Sequence, residues 1–163
     1  MERKVLFLDR DGILNVERGE YTYKVEDVEI VDDLLASAKL FFKAGYEFII
    51  ISNQGGISRG LYSKEDVLAI DNILRDSFVS NGMSILDSYY CPHHNEIENC
   101  LCRKPKSLLL ERAIAKYNLK IENTFFIGDS PRDKEAGEAL SIKSFQVEAN
   151  SSILELSKTL LNE

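Results

Sequence analysis

Five short apolar runs, Lys4 to Leu8, Glu47 to Ser52, Ile85 to Cys91, Thr124 to Gly128 and Lys143 to Val147, alternate with stretches whose apolar residues recur at helical spacing. Such alternation implies a parallel sheet covered by helices, because parallel neighbours need a crossover connection and the crossover is usually a helix. Val5-Leu6-Phe7-Leu8 is apolar at every position and reads as a strand buried on both faces. Between the runs, Leu34, Leu35, Ala38, Phe41 and Phe42 form one helical face closed by Gly45. Ser63, with Asp66 three residues on, opens a second helix carrying Val67, Ile70, Leu74 and Phe78. A third helix is predicted over Ser107 to Tyr117, a fourth from Pro131, and a last, surface helix over Ser151 to Leu161. The expected fold class is α/β, a three-layer sandwich around a central, mostly parallel sheet. Two segments, Gly12 to Val31 and Cys91 to Lys106, fit no element; long irregular stretches in a compact domain are usually functional.

At 163 residues the chain suits one domain spanning 1–163, too short to add a sizeable cap to a catalytic core. A net charge of −7 without a basic stripe argues against nucleic acid, and no basic amphipathic stretch points to a membrane surface. The apolar run at Val5 is too short for a signal-peptide core, so the expectation is a cytoplasmic protein with a small-molecule partner. No heptad or long apolar surface stripe asks for a second chain, and a monomer is expected.

The polar residues that follow the strands form a set. After the first come Asp9 and Asp11; after the second, Ser52, Asn53 and Gln54; after the third and its loop, Arg103 and Lys104; after the fourth, Asp129, Ser130 and Asp133. Right-handed crossovers put the carboxyl ends of parallel strands on one edge, so residues about 120 positions apart can meet one ligand there. A phosphate ester would be repelled by four aspartates, so such a site needs a divalent cation, and hard oxygen ligands without a nearby histidine favour Mg²⁺. Asp-x-Asp by itself is as common in turns and caps as in active sites; the conjunction at four strand ends is what points to chemistry.

In that order, Asp-x-Asp-Gly, Ser-Asn-Gln, Arg-Lys-Pro and Gly-Asp-x-x-x-Asp resemble the haloacid dehalogenase (HAD) superfamily of phosphohydrolases across nearly the whole chain. The resemblance implies a capless, Rossmann-like HAD fold and an aspartyl-phosphate mechanism. Asp9 would attack phosphorus, while Asp11 would protonate the leaving alkoxide and then activate water, its pKa raised by the crowding carboxylates. Ser52 and Lys104 would hold the transferring phosphoryl oxygens. Asp9, Asp11 and Asp129, with Asp133 in support, would hold Mg²⁺. One position departs from the pattern: Ile13 stands where the family has threonine, which removes a hydroxyl from the loop.

The three cysteines share one short window, an odd count that points to metal rather than disulfide. Cys91, His93, Cys100 and Cys102 form a ligand set for a closed, structural zinc site; in an extended chain i and i+2 point the same way, leaving His94 out. The loop, about residues 91–106, runs directly into Arg103 and Lys104, so zinc would fold a loop that delivers a phosphate-binding lysine. Cys-Pro-His and Cys-x-Cys-Arg-Lys-Pro resemble the capless branch whose members hydrolyse heptose bisphosphates and histidinol phosphate. By that resemblance Glu17, Arg18, Gly19 and Glu20 should line a sugar pocket, and Asn53, Gln54, Ser130, Arg59 and Arg103 should contact substrate, the arginines as a second anion site. The favoured substrate is a heptose 1,7-bisphosphate losing its 7-phosphate, with histidinol phosphate or another sugar phosphate as the alternative. A phosphotransferase, or a weakly catalytic, zinc-stabilised binding module, are the rival classes.

Overall fold

A computed structural model describes residues 2–162; the two end residues of the expected 1–163 domain lie outside the described residues. Five strands, β1 (Lys4–Leu8), β2 (Tyr46–Asn53), β3 (Ile85–Cys91), β4 (Thr124–Gly128) and β5 (Lys143–Gln146), form one sheet in the order β3-β2-β1-β4-β5. Every neighbouring pair is parallel. β1 is the central strand, Leu8 lying opposite Ile50 on one side and Ile127 on the other. The strand order reverses around β1, and it is at such a switch point that open α/β sheets bind ligands.

Helices α1 (Leu34–Lys43), α2 (Lys64–Val79), α3 (Leu108–Tyr117), α4 (Pro131–Glu138) and α5 (Leu154–Leu161) cover both faces. Because side chains alternate along a strand, Leu6, Leu8, Phe48 and Ile50 pack with Leu34, Phe41, Ile70 and Leu74 of α1 and α2 on one face. Val5, Phe7, Ile49 and Ile51 pack with Leu109, Leu110 and Ala113 of α3 and Ala136 of α4 on the other. A four-residue run with both faces buried is what Val5-Leu6-Phe7-Leu8 required, and none of the four is more than 1% exposed.

Two expectations shift at their edges. Phe42, placed on the buried face of α1, is exposed, whereas Leu34, Ala38 and Phe41 are buried. The last helix starts at Leu154 rather than Ser151, because the Ser151 N–H turns back to the Glu148 carbonyl and the Ser152 hydroxyl accepts the Leu154 N–H. The unassigned segment 12–31 is ordered by main-chain bonds of its own: the Arg10 carbonyl accepts the N–H groups of Leu14 and Asn15, and Asn15 bridges to Asp11 and Ile30.

Candidate active site

All four strand-end groups converge at the carboxyl edge of the sheet. There a cavity of about 630 Å³ is lined by Asp9, Asp11, Asn53, Arg103, Lys104, Asp129, Ser130 and Asp133. Its floor centres on Lys104. That ammonium lies 2.8 Å from Asp9 Oδ1 and 2.6 Å from Asp133 Oδ1, and it donates to the Ile51 carbonyl at 2.7 Å. The lysine and Asp133 side chains are 3% and 2% exposed, and Asp9 is 13% exposed. One buried cation thus faces two carboxylates, and the excess negative charge is only partly open to water through the cavity. Burial lifts the Asp9 carboxyl to about 8 even though Lys104 draws it down, and Asp133 adds to the rise. Asp129 is raised for the same reasons, burial first and Asp133 second.

Local sequence explains the placement. Ser130 and Asp133 form a capping box at the start of α4, the Asp133 carboxylate accepting the Ser130 N–H at 3.0 Å while Pro131 fills the first turn. Asp133 therefore caps a helix and pairs with Lys104. Gly128 is required beside it, because a Cβ there would collide with the Asp133 carboxylate. Asn53 holds the loop that delivers Lys104, its Oδ1 accepting the Lys104 N–H at 3.0 Å and its Nδ2 donating to the Lys104 carbonyl at 3.1 Å.

Carboxylate oxygens of Asp9, Asp129 and Asp133 lie within 4.8 Å of one another. Asp11, expected in this group and expected to be crowded by carboxylates, stands outside it. Its neighbours are donors: Asn15 Nδ2 at 2.9 Å, Gln54 Nε2 at 3.1 Å and the Arg10 guanidinium at 3.3 Å. The chain leaves β1 at Leu8 and bends at Arg10, whose guanidinium folds back over Asp11.

Several other expected site residues are not among those that line the cavity. Ser52 lies beneath the floor, 2% exposed, with its hydroxyl accepting from Gln54 Nε2 at 3.2 Å. Gln54 is also buried and does not line the cavity; its Oε1 accepts from Arg10 and from Tyr62. Arg59 is exposed and away from the cavity, and Arg18 turns outward to Glu20 and Asp27. Glu17, Gly19 and Glu20 do line it, as does Arg103, which donates to the His93 carbonyl at 3.0 Å. Sequence reading missed Tyr21, Thr22, Gly55 and Arg132 in the wall, and missed Arg10 altogether. Arg10 is 1% exposed; an arginine ending an apolar run between two acids was the signal available.

The zinc expectation has its geometry. One ligand atom from each of Cys91, His93, Cys100 and Cys102 falls within the same 4.8 Å, with His93 Nδ1 3.5 Å from Cys91 Sγ and 3.2 Å from Cys102 Sγ. His94 lies outside the cluster, its N–H donating to Ser58 Oγ. Against its burial, the main-chain N–H groups of Arg103 and Cys102 bring the Cys100 thiol down to about 7, whereas burial pushes the Cys91 and Cys102 thiols up.

Residues 101–155 match the family model described as HAD-hydrolase-like. Over 137 residues the chain is 38% identical to the D-glycero-alpha-D-manno-heptose-1,7-bisphosphate 7-phosphatase of Campylobacter jejuni, covering 84% of this chain and 77% of that one. It is also 38% identical over 142 residues to the D-glycero-beta-D-manno-heptose-1,7-bisphosphate 7-phosphatase of Helicobacter pylori, covering 86% and 80%. The chain belongs to the HAD-like phosphatases. Among solved structures, the D,D-heptose 1,7-bisphosphate phosphatase from B. bronchiseptica, complexed with magnesium and phosphate, matches with a TM-score of 0.84. That match covers 96% of this chain and 86% of the other at 22% identity, a likeness of fold. In this HAD-like phosphatase the three-carboxylate group fits a hard divalent cation, and the Cys₃His group fits zinc in a closed tetrahedral site. Among the described residues no helix is long and apolar enough to cross a membrane.

Proposed function

We propose that the chain is a phosphomonoesterase that removes the 7-phosphate of D-glycero-D-manno-heptose 1,7-bisphosphate through an aspartyl-phosphate on Asp9. The observation that carries this reading is the buried Lys104, held between Asp9 and Asp133 beside Asp129 on the floor of the cavity. Relatives at 38% identity are named for both the alpha and the beta anomer, so the 7-phosphate is the part they share.

When bound among Asp9, Asp129 and Asp133, Mg²⁺ supplies the positive charge that lets an anionic ester approach the carboxylates. Asp9 Oδ2, the oxygen not held by Lys104, attacks phosphorus in line. Lys104 keeps the other oxygen fixed and offsets charge on the transferring group. Asp11, oriented by Arg10, Asn15 and Gln54, shuttles one proton per cycle: it takes it from the water that cleaves the aspartyl-phosphate and gives it to the leaving alkoxide of the next turnover. Ser52 acts from below by orienting Gln54. Arg103, with Arg132 across the wall, suits the second phosphate, and Glu17 and Glu20 suit sugar hydroxyls. The same two glutamates would also suit the ammonium of histidinol phosphate, which keeps that substrate in the test.

The test compares turnover of both heptose bisphosphate anomers and histidinol phosphate, with and without Mg²⁺. A Mg²⁺-dependent preference for a heptose bisphosphate of about hundredfold or more is expected; an equal preference for histidinol phosphate overturns the substrate, and no phosphate release from any ester overturns the reaction.

We further propose one domain over 1–163 that acts as a cytoplasmic monomer. In support, the exposed large apolar residues are spread along the chain, at Val25, at Phe42 of α1, at Leu61, Leu68 and Val79 in and just before α2, and at Ile97 and Leu101 of the zinc loop. A dimer mass by light scattering would refute the monomer.

A further inference from the structure

The segment Glu17 to Glu20 that walls the cavity is held from the far end of the chain. Asn150 Oδ1 accepts the Glu17 N–H at 2.6 Å, and Asn150 Nδ2 donates to the Glu17 carbonyl at 2.9 Å, so one side chain satisfies both main-chain groups of one residue. Asn150 in turn donates its own N–H to the Gly12 carbonyl at 2.8 Å, directly beside Asp11. The turn carrying it is tied to the end of β4, where the Val147 N–H donates to the Gly128 carbonyl at 2.9 Å. The φ of Asn150 is 64°, in the left-handed region where asparagine is among the few side chains at ease. Other bonds of the wall stay within its own long loop: Glu17 Oε1 accepts the Gly19 N–H, and Arg18 pairs with Glu20 and Asp27.

We propose that Asn150 is a positioning residue for substrate recognition: it clamps the Glu17 main chain to the Gly12 turn and so fixes the specificity wall at one distance from the catalytic floor. This rests on reading the cavity as a sugar bisphosphate site. An ester with no sugar hydroxyls needs only the floor, so loss of the clamp separates the two kinds of substrate.

The discriminating variant is Asn150→Gly, because glycine keeps the positive φ and the N–H to Gly12 while removing both side-chain bonds. Asn150→Asp keeps the Oδ1 acceptor and removes the donor. Amide exchange over residues 16–20 should speed up about tenfold in Asn150→Gly, as expected when two hydrogen bonds of modest net worth are lost, with β1 and β4 unchanged. KM for the heptose bisphosphate should rise about tenfold with kcat within about twofold, kcat/KM for p-nitrophenyl phosphate should stay within about twofold, and Asn150→Asp should fall between. Unchanged exchange over 16–20, or an equal loss of kcat/KM on both esters, overturns the clamp. Faster exchange in a protein whose wild type ignores the heptose bisphosphate upholds the clamp and sinks the substrate reading alone.

Discussion

A lysine ammonium enclosed by two carboxylates and a main-chain carbonyl gives its site both charge and shape. Replacing Lys104 by methionine would leave Asp9 and Asp133 buried without a counter-charge, a change that costs about 3–5 kcal/mol when one partner of a buried pair is removed. Denaturant melts of Lys104→Met should show that loss, and turnover should fall at least about hundredfold. An unaltered melt would mean that the pair is not buried in solution. Asp9, Lys104, Asp129 and Asp133 were legible in the sequence because each belongs to a short motif at a strand end. Arg10 and Tyr62 were not, and Gln54 was read as a substrate contact and not as their partner, since the hydrogen bond from Arg10 to Gln54 spans 44 positions and no local pattern announces it. Ile13 shows the opposite case. It stands where the family has threonine and lies in the core at 1% exposure, while Asn15 supplies the bond to Asp11 that holds the loop.

At the scale of elements, strand and helix positions follow from periodicity, and errors fall at ends, where Ser151 and Ser152 turn the chain before α5 begins. The zinc loop was legible both as a ligand set and as the carrier of Lys104, but the side chain that fastens it was not read in that role. Asn53 fastens the Lys104 main chain from β2, and a metal held by the four ligands would tie down the rest of the loop. Cys102→Ser breaks the ligand set two residues before Lys104. Metal content should fall from about one zinc per chain toward none, and turnover should fall with it while the helical circular dichroism signal persists. Full activity in a zinc-free, folded variant would separate the loop from the site.

For the whole molecule, the buried negative charge ties stability to pH. Folding lifts the Asp9 carboxyl from an ordinary 3.8 to about 8, so the native state keeps a proton that the unfolded chain gives up. Its contribution is therefore full below about pH 4 and declines as pH rises toward 8. Without Mg²⁺, the Tm should drop between pH 5 and pH 8; added Mg²⁺, which binds the ionised carboxylate, should raise Tm more at pH 8 than at pH 5. Asp9→Asn should flatten both trends, and a Mg²⁺ response independent of pH would contradict the assignment. The two metal groups also differ in what they govern. Because Cys102 and Lys104 are joined by a single residue, losing zinc would take a whole molecule out of service, whereas a shortage of Mg²⁺ would leave every molecule assembled and waiting. Partial zinc starvation would thus thin the working population at constant KM, like a fall in enzyme concentration, and supply of the two ions would multiply rather than add.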